Sequence, residues 1–291
     1  MIFRAIMGMD IGLFSYGGIL LTREVRSPVD PTKASIARVY DVFLGGKDNF
    51  EVDREVAGQV IEQIPQTLRF AQDHRAWLIR AVRFLTKAGI DQFLDCGSGL
   101  PTAENTHQAV QRVNRDARVV YVDIDPIVAS HGRALLEENK NTRFVVGDLT
   151  RPRELLSDPA ISKFLDLDRP LGLIQCSTIH HVADEQRPHE IMREYVDLLP
   201  SGSYLALTHW HDPADGSEGS RIARYISEVF NNSSMGSGSF RSRAEIERFF
   251  TGMELVEPGL TLLRDWWPDG PNLTPPDGVD HIVLAGVARK P

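Results

Sequence analysis

Cysteine and dense basic stretches are scarce in this chain of 291 residues. Its two cysteines, Cys96 and Cys176, lie far apart and match no metal-ligand spacing, so a reduced, cytoplasmic protein is expected. The formal net charge is −8, and the lysines and arginines form no dense run. Nucleic acid and an anionic membrane surface are therefore disfavoured as partners.

A hydrophobic run long enough to span a bilayer is also missing. The amino-terminal stretch MIFRAIMGMDIGLFSYGGILL is only moderately apolar, Asp10 interrupts it, and no A-x-A cleavage site follows. Residues 1–30 are therefore predicted to be a flexible or loosely packed extension.

The stretch DVFLGGKDNF, residues 41–50, lacks the spacing of a phosphate-binding loop although two glycines precede its lysine. That loop requires G-x-x-x-x-G-K-[ST], in which the last hydroxyl holds magnesium. With Gly46 and Lys47 as the anchor, Asp41 occupies the first glycine position and Asp48 the hydroxyl position. A nucleoside triphosphate site is thus not predicted here.

Periodic sequence begins at Lys33 and is at first entirely helical. Apolar residues recur at helical spacing in ASIARVYDVFL, EVDREVAGQVIEQI and TLRFAQDHRAWLIRAVRFLTKAG, and Gly89 is a C-terminal cap for the last of these. Residues 31–90 are therefore predicted to form a helical lid or cap segment.

Short β-rich runs alternate with helices from residue 91 onward. The runs are QFLDC, RVVYVD, RFVVGD, LGLIQCS and YLALTH, with two later strands near MELVEPGLTLL and HIVLAGVARK. Helices are predicted at 104–113, 126–138, 188–198 and 221–230. Because such alternation implies right-handed βαβ crossovers, residues 91–291 are expected to form an α/β core with a mainly parallel sheet and helices on both faces.

The first strand runs into LDCGSGLPTAEN, a glycine-rich loop preceded by an acid. Gly97 and Gly99 would let backbone amides approach a ligand. A dinucleotide fingerprint, G-x-G-x-x-[GA], needs a small residue where this chain has Thr102, and Asp95 would repel a pyrophosphate. The loop therefore favours a ligand with a cationic, phosphate-free tail.

Polar residues also end the next three strands. Ligands of open parallel sheets bind beyond the carboxyl ends of the strands, so these residues are candidate contacts. Asp123 stands where a carboxylate accepts both ribose hydroxyls, Asp148 stands where one accepts from an amine such as adenine N6, and Ser177 ends the fourth strand. Adenosine with a positively charged tail fits this set, and S-adenosylmethionine meets that description.

The order of FLDCGSG, VVYVDIDP, VVGDLT, LIQCSTIHHV and LPSGSYLAL resembles that of class I S-adenosylmethionine-dependent methyltransferases. More narrowly, ARVYDVFLGGKDNFEVDRE, FLDCGSGLPTAENTHQAV, VVYVDIDPIVASHGRALL and LRDWWPDGP are similar to a largely bacterial family called S-adenosyl methyltransferases. The resemblance implies a Rossmann-like core with a seven-stranded sheet. It also implies S-adenosylmethionine as cofactor, S-adenosylhomocysteine as product and a methyl acceptor that the motifs do not identify.

The resemblance adds candidate cofactor contacts. The segment Arg-Val-Tyr-Asp…Leu-Gly-Gly-Lys-Asp-Asn is a family signature, expected to fold over the cofactor with Tyr40 or Lys47 near the methionine carboxylate. A glycine-capped helix with a solvated lysine is the structural alternative. Ser98, Ile124 and Leu149, next to the glycine loop and the two acids, complete the predicted cofactor site.

Histidines follow the fourth and fifth predicted strands, on the expected acceptor side. Three interpretations of His180, His209 and His211 are open: packed histidines without chemistry, a general base, or a metal site that includes Asp212. We take His180 as the candidate base and predict no metal.

A small-molecule acceptor is expected. The Gly/Ser stretch 233–239 and the tryptophans Trp77, Trp266 and Trp267 would line an apolar pocket or, for the tryptophans, belong to the core. Two other functions stay open: a sensor or degenerate methyltransferase that binds S-adenosylmethionine without transfer, and an NAD-dependent oxidoreductase. The oligomeric state does not follow from the sequence.

Overall fold

The computed structural model describes residues 29–101, 104–136 and 139–291. The predicted extension 1–30 lies outside this range except for its last two residues, as do Thr102 and the end of the predicted helix 126–138. Within the described ranges, no helix combines the length and the apolar character that crossing a membrane requires.

Helices and strands alternate along most of the described chain. The helices are α1 (Ile36–Phe43), α2 (Glu51–Gln63), α3 (Thr67–Lys87), α4 (Thr106–Val113), α5 (Pro126–Leu135), α6 (Pro152–Ser157), α7 (Pro159–Ser162), α8 (Pro188–Leu198), α9 (Glu218–Asn232) and α10 (Arg243–Glu247). The strands are β1 (Gln92–Cys96), β2 (Arg118–Asp123), β3 (Thr142–Val146), β4 (Gly172–Gln175), β5 (Tyr204–Trp210), β6 (Glu254–Leu255), β7 (Thr261–Leu262) and β8 (Val283–Arg289).

Three helices precede the first strand, and local sequence signals set their ends. The Ser35 side chain accepts the N–H of Arg38 at the start of α1, and Gly45 follows the helix with a φ of 76°. Gly89, with a φ of 97°, follows α3 as its sequence position predicts.

The sheet has the order β3-β2-β1-β4-β5-β8-β6, with β7 paired to β8 beside this path. Strands β1 to β5 are parallel, whereas β8 runs antiparallel to β5. The predicted Rossmann-like fold with a mainly parallel sheet is confirmed. Strand order reverses at β1, whose neighbours are β2 and β4, so a crevice opens there at the carboxyl edge.

The predicted late strand MELVEPGLTLL is instead two short strands, β6 and β7. Both pair with β8, and Pro258 and Gly259 lie between them. Proline has no N–H to donate to a ladder, and Gly259 has a φ of 85°, so the chain turns where the sequence pattern predicts continuous strand.

Side chains of the central strands alternate between two apolar layers. Phe93 lies in the layer beneath α1–α5 and α9, and Leu94 lies in the layer beneath α6–α8 and α10. Both side chains are fully buried, and each such burial contributes roughly 1.5–3 kcal/mol. The sheet is therefore covered by apolar layers on both faces.

The tryptophans divide between core and surface. Trp77 and Trp266 are fully buried and pack edge to face with their ring centroids 6.0 Å apart. Trp267 is half exposed and stacks on Trp266. Trp77 and Trp266 thus take the core role that the sequence left open.

Candidate functional site

The glycine-rich loop after β1 folds back against the end of β2. The backbone N–H groups of Gly97 and Ser98 both donate to the carbonyl of Val122, at 2.7 and 3.0 Å. The N–H of Gly99 donates to the Asp123 carboxylate at 2.9 Å. The loop and the acid of the second strand therefore form one unit in the crevice.

Asp123 is held by backbone donors on both of its carboxylate oxygens. Oδ2 accepts from Gly99, and Oδ1 accepts from the N–H of Asp125 at 3.0 Å. Burial raises the pKa of Asp123 to about 6, against these hydrogen bonds. Since a carboxylate oxygen has two lone pairs, each oxygen retains acceptor capacity for one further donor.

Asp95 lies beneath the loop and beside a cation that the sequence analysis did not identify. The Thr106 hydroxyl donates to Asp95 at 2.7 Å. Burial raises the pKa of Asp95 to about 6, although that hydrogen bond and the charge of Arg75 both act to lower it. The Arg75 guanidinium donates to the carbonyl of Glu104 at 2.8 Å. Its charge also opposes the rise that burial causes in the pKa of Tyr40.

The sequence position of Arg75 on α3 indicates which way its side chain faces. It lies on α3 next to His74 and one turn from Ala71 and Leu78, which are buried toward the sheet. A cation beside that apolar stripe would face the sheet edge.

Ser177 occupies a constrained turn after β4. Its φ is 62°, and its N–H donates to the Thr208 hydroxyl at 2.8 Å. The same hydroxyl oxygen lies 2.6 Å from His74 Nε2. Burial lowers the pKa of His74 to about 3, so this histidine is a neutral support for the turn.

Only glycine fits at position 97, because Thr178 packs closely against it. Its φ is 69°, and a Cβ there would overlap the Thr178 methyl carbon; Leu149 lies on the same side. Gly99 has a φ of 66° but open space where its Cβ would point. Both glycines therefore have a left-handed backbone conformation, but only at Gly97 would a side chain also overlap a neighbour.

Gly97→Ala is expected to destabilise the protein more than Gly99→Ala. Left-handed strain costs about 1–2 kcal/mol at both positions, and overpacking against Thr178 adds about 1–3 kcal/mol at Gly97 alone. Urea unfolding of both variants measures the difference. Adding Thr178→Ser should restore part of the loss in Gly97→Ala, because it removes the overlapping methyl group. Equal destabilisation by the two glycine variants would contradict this packing.

The remaining predicted contacts lie at the same edge. Ser98 Oγ is buried and has no partner among the described residues. Ile124 is 66% exposed directly after the acid of β2. Asp148 accepts the N–H and the hydroxyl of Thr150, at 2.9 and 2.7 Å, so it caps its own turn. These residues thus lie around the crevice, and part of the hydrogen-bonding capacity of Asp148 is used by Thr150.

The Gly-Gly-Lys stretch is a turn built around a carboxylate. Asp41 accepts the N–H of Asp48 at 3.0 Å and the side-chain amide of Asn49 at 2.8 Å. A Cβ on Gly46 would overlap the Asp41 carboxylate. Lys47 is exposed and makes no hydrogen bond or ion pair with the described residues. Arg75, rather than Lys47, is the cation placed beside Asp95.

Tyr40 ties this amino-terminal segment to α3. It is partly buried, and its hydroxyl donates to the carbonyl of Ala71 at 3.2 Å. Burial raises the pKa of Tyr40, so the phenol stays protonated.

A buried ion pair fixes the same segment near the crevice. Arg38 Nε donates to Asp53 at 2.7 Å, and both side chains are almost completely buried. Arg38 also lies 3.5 Å from Asp125, which accepts the Ser35 hydroxyl. Because the Asp125 N–H donates to Asp123, this network connects the helical segment to the acid of β2.

The three acceptor-side histidines have different surroundings. His209 Nδ1 lies 2.7 Å from the carbonyl of Trp210, and its Nε2 lies 2.7 Å from Arg241, so Nδ1 donates and Nε2 accepts. His211 Nδ1 lies 3.1 Å from the carbonyl of Arg241. His180 is fully buried, and neither ring nitrogen has a partner among the described residues. His209 and His211 therefore have structural partners, whereas His180 does not.

Burial lowers the pKa of His180 well below its usual value, so the imidazole is neutral. Within residues 29–101, 104–136 and 139–291, no group of three or more histidine, cysteine, aspartate and glutamate side chains is arranged to hold a metal ion.

Comparison with known proteins gives a family and two close structural relatives. The family model described as S-adenosyl methyltransferase matches residues 22–291. A protein of Thermobifida fusca YX, described as a candidate methyltransferase, is 41% identical, with a TM-score of 0.83 over 89% of this chain and 96% of that chain. A DUF574 family protein of Streptomyces avermitilis MA-4680 is 35% identical, with a TM-score of 0.83 over 89% of this chain and 98% of that chain. Among curated proteins, no sequence matches this chain.

Proposed function

The chain belongs to the S-adenosyl methyltransferase family, and on that premise we propose that it transfers the methyl group of S-adenosylmethionine to a small-molecule acceptor in the cytoplasm. S-adenosylmethionine is the cofactor of the family. The observation that carries the proposal for this chain is the Asp123 carboxylate, fixed by two backbone donors beside the glycine loop and still able to accept two hydroxyl protons. Neither a sensor without transfer nor an NAD-dependent oxidoreductase is favoured by the family match.

The residues of the crevice fit the cofactor. Ser98 supplies a buried hydroxyl without a partner, and Ile124 supplies an exposed apolar surface suited to adenine. Asp123 would accept the ribose hydroxyls and Asp148 the adenine amine. Gly97, Gly99, Leu149 and Ser177 would shape the walls of the site.

The charged tail of the cofactor would meet two opposite charges. Asp95 lies beneath the glycine loop, where a carboxylate favours an ammonium group. Arg75 lies beside Asp95, and Tyr40 lies near Arg75; these two side chains would receive the methionine carboxylate. Lys47 would take part only if its turn, which is exposed, folded further inward.

S-adenosylmethionine supplies an electrophilic methyl group on a sulfonium, and the protein supplies alignment, exclusion of water and a destination for a proton. The helices α1 and α2, held by Arg38 and Asp53, would cover the crevice. His180, neutral and without a hydrogen-bond partner, would accept the proton of an acceptor that must lose one.

Cofactor binding is expected to strengthen as the pH rises through about 6. Asp123 must be ionised to accept both hydroxyl protons, and its pKa is raised to about 6, so affinity should fall about tenfold per pH unit well below that value. Calorimetric titration with S-adenosylhomocysteine between pH 5 and pH 8 measures the profile.

The pKa of Asp95 is raised to a similar value, so the variants Asp123→Asn and Asp95→Asn are needed to separate the contributions of the two carboxylates to the pH dependence of binding. Because both carboxylates would contact the cofactor, Asp123→Asn should leave only the part of the pH dependence that Asp95 contributes, and Asp95→Asn only the part that Asp123 contributes. A profile that is flat in the unmodified protein, or unchanged in Asp123→Asn, would show that Asp123 does not receive the ribose.

A transfer assay tests the proposed activity. The purified protein is incubated with S-adenosylmethionine carrying an isotopic label in its methyl group and with the small-molecule fraction of a bacterial extract. We expect equal amounts of S-adenosylhomocysteine and of one labelled product by mass spectrometry, both strongly reduced in Asp123→Ala. Tight cofactor binding without label transfer to any fraction would favour the sensor function.

A further inference from the structure

His180 is the feature of the acceptor side that the fold leaves unexplained. Its side chain is fully buried, yet Nδ1 and Nε2 both lack a hydrogen-bond partner within the described residues. Buried polar atoms are nearly always paired, since an unpaired one costs about 1–3 kcal/mol. Two orphan nitrogens on one ring therefore point to a ligand that is bound during function.

Aromatic rings surround His180 and define the kind of ligand that fits. His180 stacks on Trp210 with centroids 4.1 Å apart and planes inclined by 14°. Trp210 in turn stacks on Phe240 at 4.8 Å and contacts Phe230 at 5.2 Å. His181 lies 4.4 Å from His180. We call these five residues the acceptor-side aromatic cluster; among them, only His180 was predicted from the sequence as a site residue.

The cluster begins at the cofactor crevice. Thr178, whose methyl carbon packs against Gly97, lies two residues before His180 in the loop that follows β4. A molecule that contacts the His180 ring from the crevice would thus lie next to the glycine loop. This adjacency is what a methyl acceptor requires, because transfer needs the two reactants in contact.

The Gly/Ser loop, residues 233–239, covers the cluster. The N–H of Ser239 donates to the carbonyl of His180 at 2.8 Å, and the Ser237 hydroxyl lies 3.3 Å from His181 Nδ1. A Cβ on Gly238 would lie 2.8 Å from a ring carbon of Trp210, and its φ is 145°, so only glycine fits there. The loop therefore covers the cluster through two hydrogen-bond contacts, to the His180 carbonyl and the His181 ring. These contacts can break when the loop moves to admit a ligand.

The charge around His180 excludes two classes of acceptor. Its titratable and charged neighbours are His181 in the same turn, His209 on β5, His74 on α3 and Arg241. Burial lowers the pKa of these three histidines to about 3, so they are neutral. Arg241 is paired with the Asp184 carboxylate and with His209.

The strongest electrostatic neighbours of His180 include no carboxylate, so a cationic amine would lose its hydration without a close counter-charge. Arg241, the cation among these neighbours, is already paired with Asp184, so a carboxylate acceptor would be equally unfavourable. An uncharged molecule remains. His180 is fully buried and stacked on Trp210, so a proton on its ring would be poorly solvated, and the group that yields the proton must itself be acidic.

We propose that the methyl acceptor is an uncharged aromatic molecule with an acidic hydroxyl group, of the phenol or enol type, whose ring packs on the acceptor-side aromatic cluster and whose hydroxyl donates to His180. The proposal rests on the proposed methyl transfer and names its substrate class. The oxygen–methyl bond forms as the methyl–sulfur bond of the donor breaks and its electron pair stays on sulfur. The hydroxyl proton passes to a ring nitrogen of His180 and then to water.

Three matched aromatic probes test the substrate class: para-nitrophenol, para-nitrobenzylamine and para-nitrobenzoate. All measurements with these probes are made at about pH 6, where the phenol is uncharged, the amine is cationic and the carboxylate is anionic. Each probe is titrated into the full chain saturated with S-adenosylhomocysteine, whose own binding is measured first by calorimetry. Para-nitrophenol should bind at least tenfold more tightly than the other two. Stronger binding of the amine or the carboxylate, or no binding of the phenol, overturns the inference. Failure of S-adenosylhomocysteine to bind would instead count against the proposed function itself.

Two substitutions of His180 test its role. His180→Phe keeps the stacked ring and removes both nitrogens, so para-nitrophenol binding should weaken about tenfold, the loss of one hydrogen bond. His180→Gln keeps an acceptor atom but not a base, so binding should be retained while methyl transfer to the phenol falls at least about a hundredfold. Equal transfer by His180→Gln and the unmodified protein overturns the proton-accepting role.

His189→Phe is the matched control. His189 also has a buried nitrogen without a partner and stacks on an aromatic ring, Phe249, at 4.2 Å, but it lies outside the cluster. Its substitution should leave binding of para-nitrophenol unchanged. If His180→Phe and His189→Phe weaken the phenol equally, the orphan nitrogens of His180 are not a ligand contact.

Discussion

Asp53→Ala is expected to destabilise the protein by about 3–5 kcal/mol, the usual cost of breaking a buried ion pair on one side. Arg38 is only 4% exposed and would keep its charge without its partner at 2.7 Å. Asp53 also accepts the N–H groups of Ser35 and Phe50, at 2.9 and 2.8 Å, so the starts of α1 and α2 lose their anchors together. The free energy of unfolding in urea measures the effect.

Asp48→Ala is the control for Asp53→Ala. Asp48 lies on the neighbouring turn, is exposed and lies 3.3 Å from His131, so its loss should cost less than about 1 kcal/mol. The double variant Asp53→Leu with Arg38→Met removes both charges and should recover much of the stability. If Asp53→Ala and Asp48→Ala are equally stable, the buried pair does not hold the amino-terminal helices.

Asp123→Ala is expected to weaken S-adenosylmethionine binding at least about a hundredfold. Two hydrogen bonds to a charged acceptor contribute about 1.5–3 kcal/mol each, and the variant removes both. It also leaves the N–H groups of Gly99 and Asp125 without their acceptor, which loosens the glycine loop. Calorimetric titration measures the loss, and urea unfolding of the same sample separates it from a change in stability.

Asp148→Ala provides the comparison for Asp123→Ala. Asp148 would accept a single hydrogen bond from the adenine amine, worth about 1.5–3 kcal/mol because the acceptor is charged, so a loss of about tenfold to a hundredfold, smaller than at Asp123, is expected. Its other contacts hold only Thr150 and the nearby Arg151, 3.6 Å away. A larger effect at Asp148 than at Asp123 would mean that the adenosine is not oriented along β2 as we propose.

The family, the fold class and the cofactor were predictable because their signals are local. Asp95 and Asp123 lie at the carboxyl ends of the apolar strands β1 and β2, and Gly97 directly follows β1. Parallel strands bring their carboxyl ends to one edge whatever the strand order. The resemblance of the quoted motifs to the S-adenosyl methyltransferase family is confirmed over residues 22–291. Assignments of single residues as contacts stay predictions.

What the sequence pattern could not supply depends on contacts between distant segments. The position of Arg75 beside the apolar stripe of α3 indicates which way it faces, but its placement next to Asp95 follows from the packing of α3 along the sheet. The pairing of His209 with Arg241 depends on where the chain returns after α9. The Gly46 turn had a local explanation, since Asp41 is close in sequence, whereas Lys47 was expected near the cofactor because it belongs to the family signature.

The most direct test of the account is calorimetric titration of the unmodified protein with S-adenosylmethionine, S-adenosylhomocysteine and NAD. We expect micromolar binding of S-adenosylmethionine and S-adenosylhomocysteine, no binding of NAD, and loss of both interactions in Asp123→Ala. Binding of NAD alone would contradict the account, as would S-adenosylmethionine binding that Asp123→Ala leaves intact.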